Sequence, residues 1–269
     1  MKSVRALVVG AAATTISFAP SGTALAKDQA PPNAPPPLTY AERNAGSPDV
    51  PFSDVITATS APVVAQGAVH AGEPLLSVAY AYRYTAVITE EVKGFSFTVG
   101  GVQAPVGSPG YYAGTFMWTN GRWPKADTPP MDLWCFFPGV AGGKRETICL
   151  LRNLNKRAAI APTRMNPYLW HHFAPITGSF DYVNTPIFKR QAVDLPVKPV
   201  LEYRFSKWKG DMAWFGLYAM GGFVTDLPLE KDERGAYRLR TVGGDFLITR
   251  DSADPAAVRI VPEQHPPVS

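Results

Sequence analysis

Cysteine and histidine are scarce in this chain, with two and four residues among 269. The histidines His70, His171, His172 and His265 form no chelating set, because His171 and His172 are neighbours and on a strand would point to opposite faces. No Asp-rich calcium loop is present, so neither a metal nor a cofactor is expected. The cysteines lack the two-residue spacing, at a helix start, that tunes a redox pair. A Gly-x-Ser-x-Gly nucleophile elbow is also missing. Basic charge is not gathered in one place: Lys144-Arg145, Lys156-Arg157 and Lys189-Arg190 are scattered pairs, which excludes a nucleic-acid-binding stripe.

Long apolar runs are absent too. The longest, Ala6 to Ser17, gives about 11 apolar residues against the roughly 20 that cross a bilayer as a helix. Preceded by Lys2 and Arg5 and followed by the small-x-small site Ala24-Leu25-Ala26, it reads as a secretory signal peptide over residues 1–26. No Arg pair marks a twin-arginine route, and no Cys at the cleavage site could carry a lipid. The expectation is a periplasmic or extracellular protein that crosses unfolded, with no transmembrane segment in the mature chain. A membrane β-barrel gives weak sequence signals, but the ending His265-Pro266-Pro267-Val268-Ser269 lacks the terminal aromatic strand of such barrels. Removing Lys2 and Arg5 lowers the 26 basic residues to 24 against 22 acidic ones, a near-neutral +2.

Proline is plentiful at the ends. Pro31, Pro32, Pro35, Pro36, Pro37, Pro48 and Pro51 favour extended geometry, so residues 27–62 read as a flexible linker. Within it, Thr39-Tyr40-Ala41-Glu42 fits a capping box that starts one helical turn. Residues 262–269 form a Pro-rich tail.

Between Val63 and Val261 the apolar pattern has period two, with turn residues every eight to twelve positions. The region 63–261 is therefore expected to be one all-β domain, an antiparallel β-sandwich or, alternatively, a closed barrel-like unit. From Leu75 to Ile88 the even positions Leu76, Val78, Tyr80, Tyr82 and Tyr84 are bulky, while Ser77, Ala79 and Ala81 opposite are small. At about 3.3 Å per residue, such a strand is long enough to require a bulge or bend.

Two hairpins can be given a register. Taking Gly243-Gly244 as a two-residue turn sets Val242 against Asp245, Leu239 against Ile248 and Tyr237 against Arg250. Tyr237, Leu239, Phe246 and Ile248 then share a face, and the hairpin should be half exposed. Placing Cys135 opposite Cys149 also sets Leu133 against Leu151, Trp134 against Leu150, Phe136 against Ile148 and Asp132 against Arg152. Both faces of this second hairpin are apolar, so its strands should be internal, with an exposed loop over Pro138 to Lys144. In an oxidising compartment Cys135 and Cys149 are expected to be bridged.

Apparent catalytic motifs dissolve in context. Gly139 to Lys144 resembles a phosphate loop, but Pro138 occupies the first glycine position and Arg145 follows the lysine. Ser206-Lys207-Trp208-Lys209 matches Ser-x-x-Lys, yet it continues the strand-like alternation of Leu201 to Phe205. Glu90, Glu91, Asp181, Asp194, Glu202 and Asp211 are available carboxylates, none selected by its neighbours. Aromatic residues remain: Tyr111, Tyr112, Phe116, Trp118 and Trp123 lie near Asn120, Arg122 and Lys125. Trp118, Trp123 and Arg122 are thus candidates for stacking on a sugar or peptide, with core packing as the competing role for these rings. The expected function is a structural or ligand-binding role at the cell envelope, with an envelope glycan or another envelope protein as partner. The alternative is a hydrolase using His171 or His172 with a carboxylate.

Overall fold

The computed structural model describes residues 38–96, 100–119, 131–137, 147–152, 158–160, 169, 174–177, 188–233 and 235–263. Helix is confined there to one turn, α1 (Tyr40–Arg43), built on the expected capping box. Thr39 Oγ1 accepts from the Glu42 amide at 3.1 Å, and the Glu42 carboxylate accepts from the Thr39 amide at 2.7 Å.

Strands make up the rest of the regular structure. In chain order they are β1 (Ile56–Ala58), β2 (Val63–Val64), β3 (Pro74–Tyr82), β4 (Thr85–Ile88), β5 (Val92–Ser96), β6 (Gly100–Ala104), β7 (Pro109–Thr119), β8 (Met131–Phe136) and β9 (Ile148–Arg152). The second half adds β10 (Ala158–Ile160), β11 (Ala174–Thr177), β12 (Phe188–Arg190), β13 (Val200–Lys209), β14 (Met212–Ala219), β15 (Gly222–Leu229), β16 (Tyr237–Thr241), β17 (Gly244–Arg250) and β18 (Val258–Pro262). A six-stranded sheet runs β1-β3-β13-β14-β15, with β2 also on β3. A seven-stranded sheet runs β10-β9-β8-β7-β4-β12, with β11 also on β7. The smaller sheets are β16-β17-β18 and β5-β6. Pairing is antiparallel except for β11 on β7. This is an all-β, sandwich-like fold, as the period-two pattern requires.

The long Tyr-rich segment bends where its length demands it. β3 ends at Tyr82, Arg83 and Tyr84 turn the corner, and β4 continues into the other sheet. Leu76, Val78, Tyr80 and Tyr82 are buried, and the Tyr82 ring stacks on Tyr111 of β7 with centroids 4.1 Å apart. The seven-stranded sheet curls enough for Phe188 on its β12 edge to meet Trp134 and Phe136 on β8, at 5.1 and 5.4 Å between centroids.

The Cys135/Cys149 hairpin has the expected register at all five pairs, and the disulfide is formed. All six β8 residues are buried. The Asp132 carboxylate accepts from Arg43 Nε at 2.6 Å and from the Leu38 amide at 3.2 Å. In this way β8 anchors the segment ahead of β1.

Three boundaries differ from expectation. The part of the 27–62 linker that the structure describes is packed, with Leu38, Phe52, Val55 and Ile56 buried and β1 paired to β3. It is built of the α1 turn and a series of tight turns rather than an extended spacer, and its interspersed apolar side chains give it a place in the core. The Pro-rich tail begins later, because Pro262 pairs with Phe246 and Glu263 forms a two-bonded ion pair with Arg238. In the β16–β17 hairpin the turn is Val242-Gly243, giving Tyr237 against Ile248, Leu239 against Phe246 and Thr241 against Gly244. A Cβ on Gly243 would lie 2.5 Å from Pro62 Cγ, and Gly244 takes φ +124°, so each glycine has its own task. The slip moves partners by two residues, which preserves the faces. Tyr237, Leu239, Phe246 and Ile248 are all buried, and the other face is partly exposed.

Candidate functional site

The small face of β3 floors a cleft. Ala79 and Ala81 point away from the Tyr80/Tyr82 side, and a strap of residues 191–199 forms a wall beside them. The strap is tied at both ends. Near its start, Gln191 and Thr85 exchange two hydrogen bonds, with the Gln191 amide on the Thr85 carbonyl at 3.1 Å and Thr85 Oγ1 on the Gln191 carbonyl at 2.7 Å. Thr85 Oγ1 also accepts from the Val193 amide at 3.2 Å. At the far end the Tyr80 amide donates to the Pro199 carbonyl at 3.1 Å. Between these anchors Asp194 to Lys198 has no regular structure, and the cleft, open to solvent, has a volume of about 1100 Å³. That volume suits an oligomeric ligand rather than a single small metabolite.

The walls are mixed in character. Val193, Leu195, Val197 and Val200 supply apolar surface, and Arg83, Arg190, Lys198, Glu42 and Asp194 supply charge. Arg190 is engaged by Glu42 at 3.1 Å. The bond from the Thr39 backbone holds the Glu42 carboxyl below its usual pKa, burial opposes this, and Arg190 adds to the lowering. Glu42 is thus an ionised cap and a poor proton donor. Arg83 and Lys198 are exposed and form no ion pair among the described residues; Asp194 is exposed likewise.

Under the floor, the Tyr80 and Tyr82 hydroxyls are 3.3 Å apart. Burial pushes the Tyr82 phenol well above its usual pKa, with the phenols of Tyr111 and Tyr80 acting in the same direction. These rings stay neutral and hold the floor rather than move protons.

Of the residues nominated from sequence, Cys135 and Cys149 form the disulfide. Trp118 lies on β7, in register with Ile176 of β11. Trp123, Arg122, His171 and His172 lie outside the described residues, as does the 1–26 segment. Tyr111 and Tyr112 take the core role that competed with stacking, both fully buried. Ser206 to Lys209 is on β13 with a bulge after Phe205, so no helical turn brings the lysine under the serine. Among the carboxylates, Glu202 pairs with Arg204 and Asp211 with Lys231, while Asp194 reaches the cleft. Sequence reasoning missed Arg83, Arg190 and Lys198. Their signal was indirect: the run Ser77, Ala79, Ala81 shows a strand face with nothing bulky on it.

Among the described residues, no helix is long and apolar enough to cross a membrane. Nor do three or more His, Cys, Asp or Glu gather there into a metal-holding group. No protein-family model matches the chain, and neither the curated proteins nor the solved structures contain a match.

Proposed function

We propose that this is an exported protein, periplasmic or extracellular, that binds an envelope polymer without transforming it, and that the strapped cleft on β3 is where it binds. The observation that carries this reading is the cleft: a wide, preformed space with an apolar small-residue floor and charged groups at its rim. The disulfide fits an oxidising compartment. Glu42, the acid best placed to act at the Arg190 end, is committed to capping and ion pairing, which favours recognition over acid-base chemistry.

Chemical-shift mapping against a panel of soluble wall glycans and peptides tests the reading. At least one ligand should perturb the amides of Ala79, Ala81 and Val193, and Ala81→Trp, which fills the floor at an exposed position, should abolish that binding without lowering Tm. Binding untouched by Ala81→Trp, or no ligand at the cleft at all, would count against it.

A further inference from the structure

The cleft does not end at its strap. In the six-stranded sheet Ala79 pairs with Val200 and Ser77 with Glu202, so the small face of β3 is continuous with the outer face of β13. Glu202 pairs onward with Tyr218, Arg204 with Gly216 and Lys207 with Trp214, carrying the same face onto β14. Tyr218 then pairs with Phe223, and Gly216 with Asp226, on the edge strand β15. The cleft floor and an aromatic row are therefore two ends of one surface.

The row consists of Trp214 and Tyr218, each part-exposed, and Phe223, which is 50% exposed. Trp214 and Tyr218 are four residues apart on one strand, about 13 Å at roughly 3.3 Å per residue. Gly216 between them leaves a gap, and the Tyr218 ring leans over it: a Cβ there would be 2.8 Å from Tyr218 Cε2. Tyr218 is held from two sides, by Arg204 at 4.6 Å from its ring centroid and by Phe223 edge-on at 5.6 Å. Rigid rings of this kind give contact area at low entropic cost.

Charge along this surface is unbalanced. Glu202 is consumed by Arg204 and Glu42 by Arg190. Arg83 and Lys198 at the cleft, and Lys207 and Lys209 beside Trp214, form no ion pair among the described residues; Asp194, Asp226 and Glu230 are the acids left with them. Four cations face three anions, spread out rather than clustered.

We propose that this continuous face is a track for an acidic glycan chain, a polymer of carboxylate-bearing sugars. Such a chain would lay its sugars along the small-residue floor and the aromatic row and its carboxylates near Arg83/Lys198 and Lys207/Lys209. Widely spaced cations suit a polymer with one carboxylate per sugar better than a nucleic acid, whose phosphates call for a denser basic stripe. The proposal rests on the cleft being a binding site and adds the ligand class and the extent of the surface.

Affinity electrophoresis of the intact, disulfide-bonded protein tests it, in gels containing polygalacturonate, neutral hydroxyethyl cellulose or no polymer, at about 0.15 M salt to screen diffuse attraction. Polygalacturonate should retard the protein selectively. Arg83→Ala with Lys198→Ala, and separately Lys207→Ala with Lys209→Ala, should each weaken retardation by about tenfold. Trp214→Ala should weaken it as well, while Lys189→Ala, exposed on β12, should not; Tm of every variant confirms folding. Equal loss with Lys189→Ala, no effect of the track variants, or tighter binding of a single-stranded oligonucleotide would overturn the proposal. So would a dimer in sedimentation that Phe223→Asp disperses, since a second copy would then cover the row. A neutral glycan or peptide that binds and is displaced by Ala81→Trp would overturn the acidic-glycan track and leave the cleft reading standing. If no ligand responds to Ala81→Trp, both fall.

Discussion

At the residue scale, the Arg43–Asp132 pair is buried and each partner compensates the other's charge. Removing one partner of such a pair leaves an uncompensated charge in the interior, so Arg43→Ala should cost about 3–5 kcal/mol in denaturant unfolding. Arg43→Met combined with Asp132→Leu should lose less, because no charge is then stranded. His70 offers a pH test on the surface. Its ring nitrogen lies 3.0 Å from Asp254 and it also faces Glu73, and the Asp254 hydrogen bond, the largest influence, raises its pKa. A His pKa raised by folding contributes stability that is complete below the unfolded value of about 6.5 and fades as pH rises through the folded value. The Tm difference between wild type and His70→Gln should therefore be largest at mildly acidic pH and shrink toward pH 8; a difference that grows with pH would contradict this. Asp254 has the opposite sign, since the Ala256 amide and His70 lower its pKa and its contribution is lost only as pH falls through that lowered value.

At the scale of elements, the β8–β9 disulfide closes a loop of 14 residues' separation. Cys135→Ala with Cys149→Ala should cost about 3 kcal/mol in the chain-entropy account, and denatured but unreduced protein should show no reactive thiol. The register of this hairpin was legible because five pairs agree at once and a two-residue slip would separate the cysteines. The β16–β17 turn was legible only to within a residue. Two adjacent glycines allow two placements, and the choice is made by Pro62 and Val78, which pack against Gly243 from far away in sequence. Gly243→Ala should accordingly lower stability by about 1–3 kcal/mol through overpacking, read as a drop in denaturation midpoint. The packing of the segment ahead of β1 was not legible because proline content reports only on local geometry, whereas the Leu38 amide is held by Asp132, 94 residues later.

For the whole molecule, the two large sheets share a chain at the β3–β4 corner and share a core at the Tyr82–Tyr111 stack. Tyr82→Ala should cost about 3–5 kcal/mol and still unfold in one transition, because the cavity opens where both sheets meet; two separated transitions would show that the sheets are independent units. The small face of β3 could be read from Ser77, Ala79 and Ala81, but the cleft could not. Its wall comes from residues 191–199, and only the folded chain brings Arg190 and Lys198 beside Arg83. The same long reach governs how the protein is made. Val69 exchanges both backbone hydrogen bonds with Val258, His70 meets Asp254 184 residues on, and Asp49 pairs with Arg240. A ribosome adding roughly 5–20 residues per second takes on the order of 10–40 s to cover that distance. None of these three contacts can form before residues 240 to 258 are made, so the segments that hold Asp49, Val69 and His70 wait through that interval for their partners.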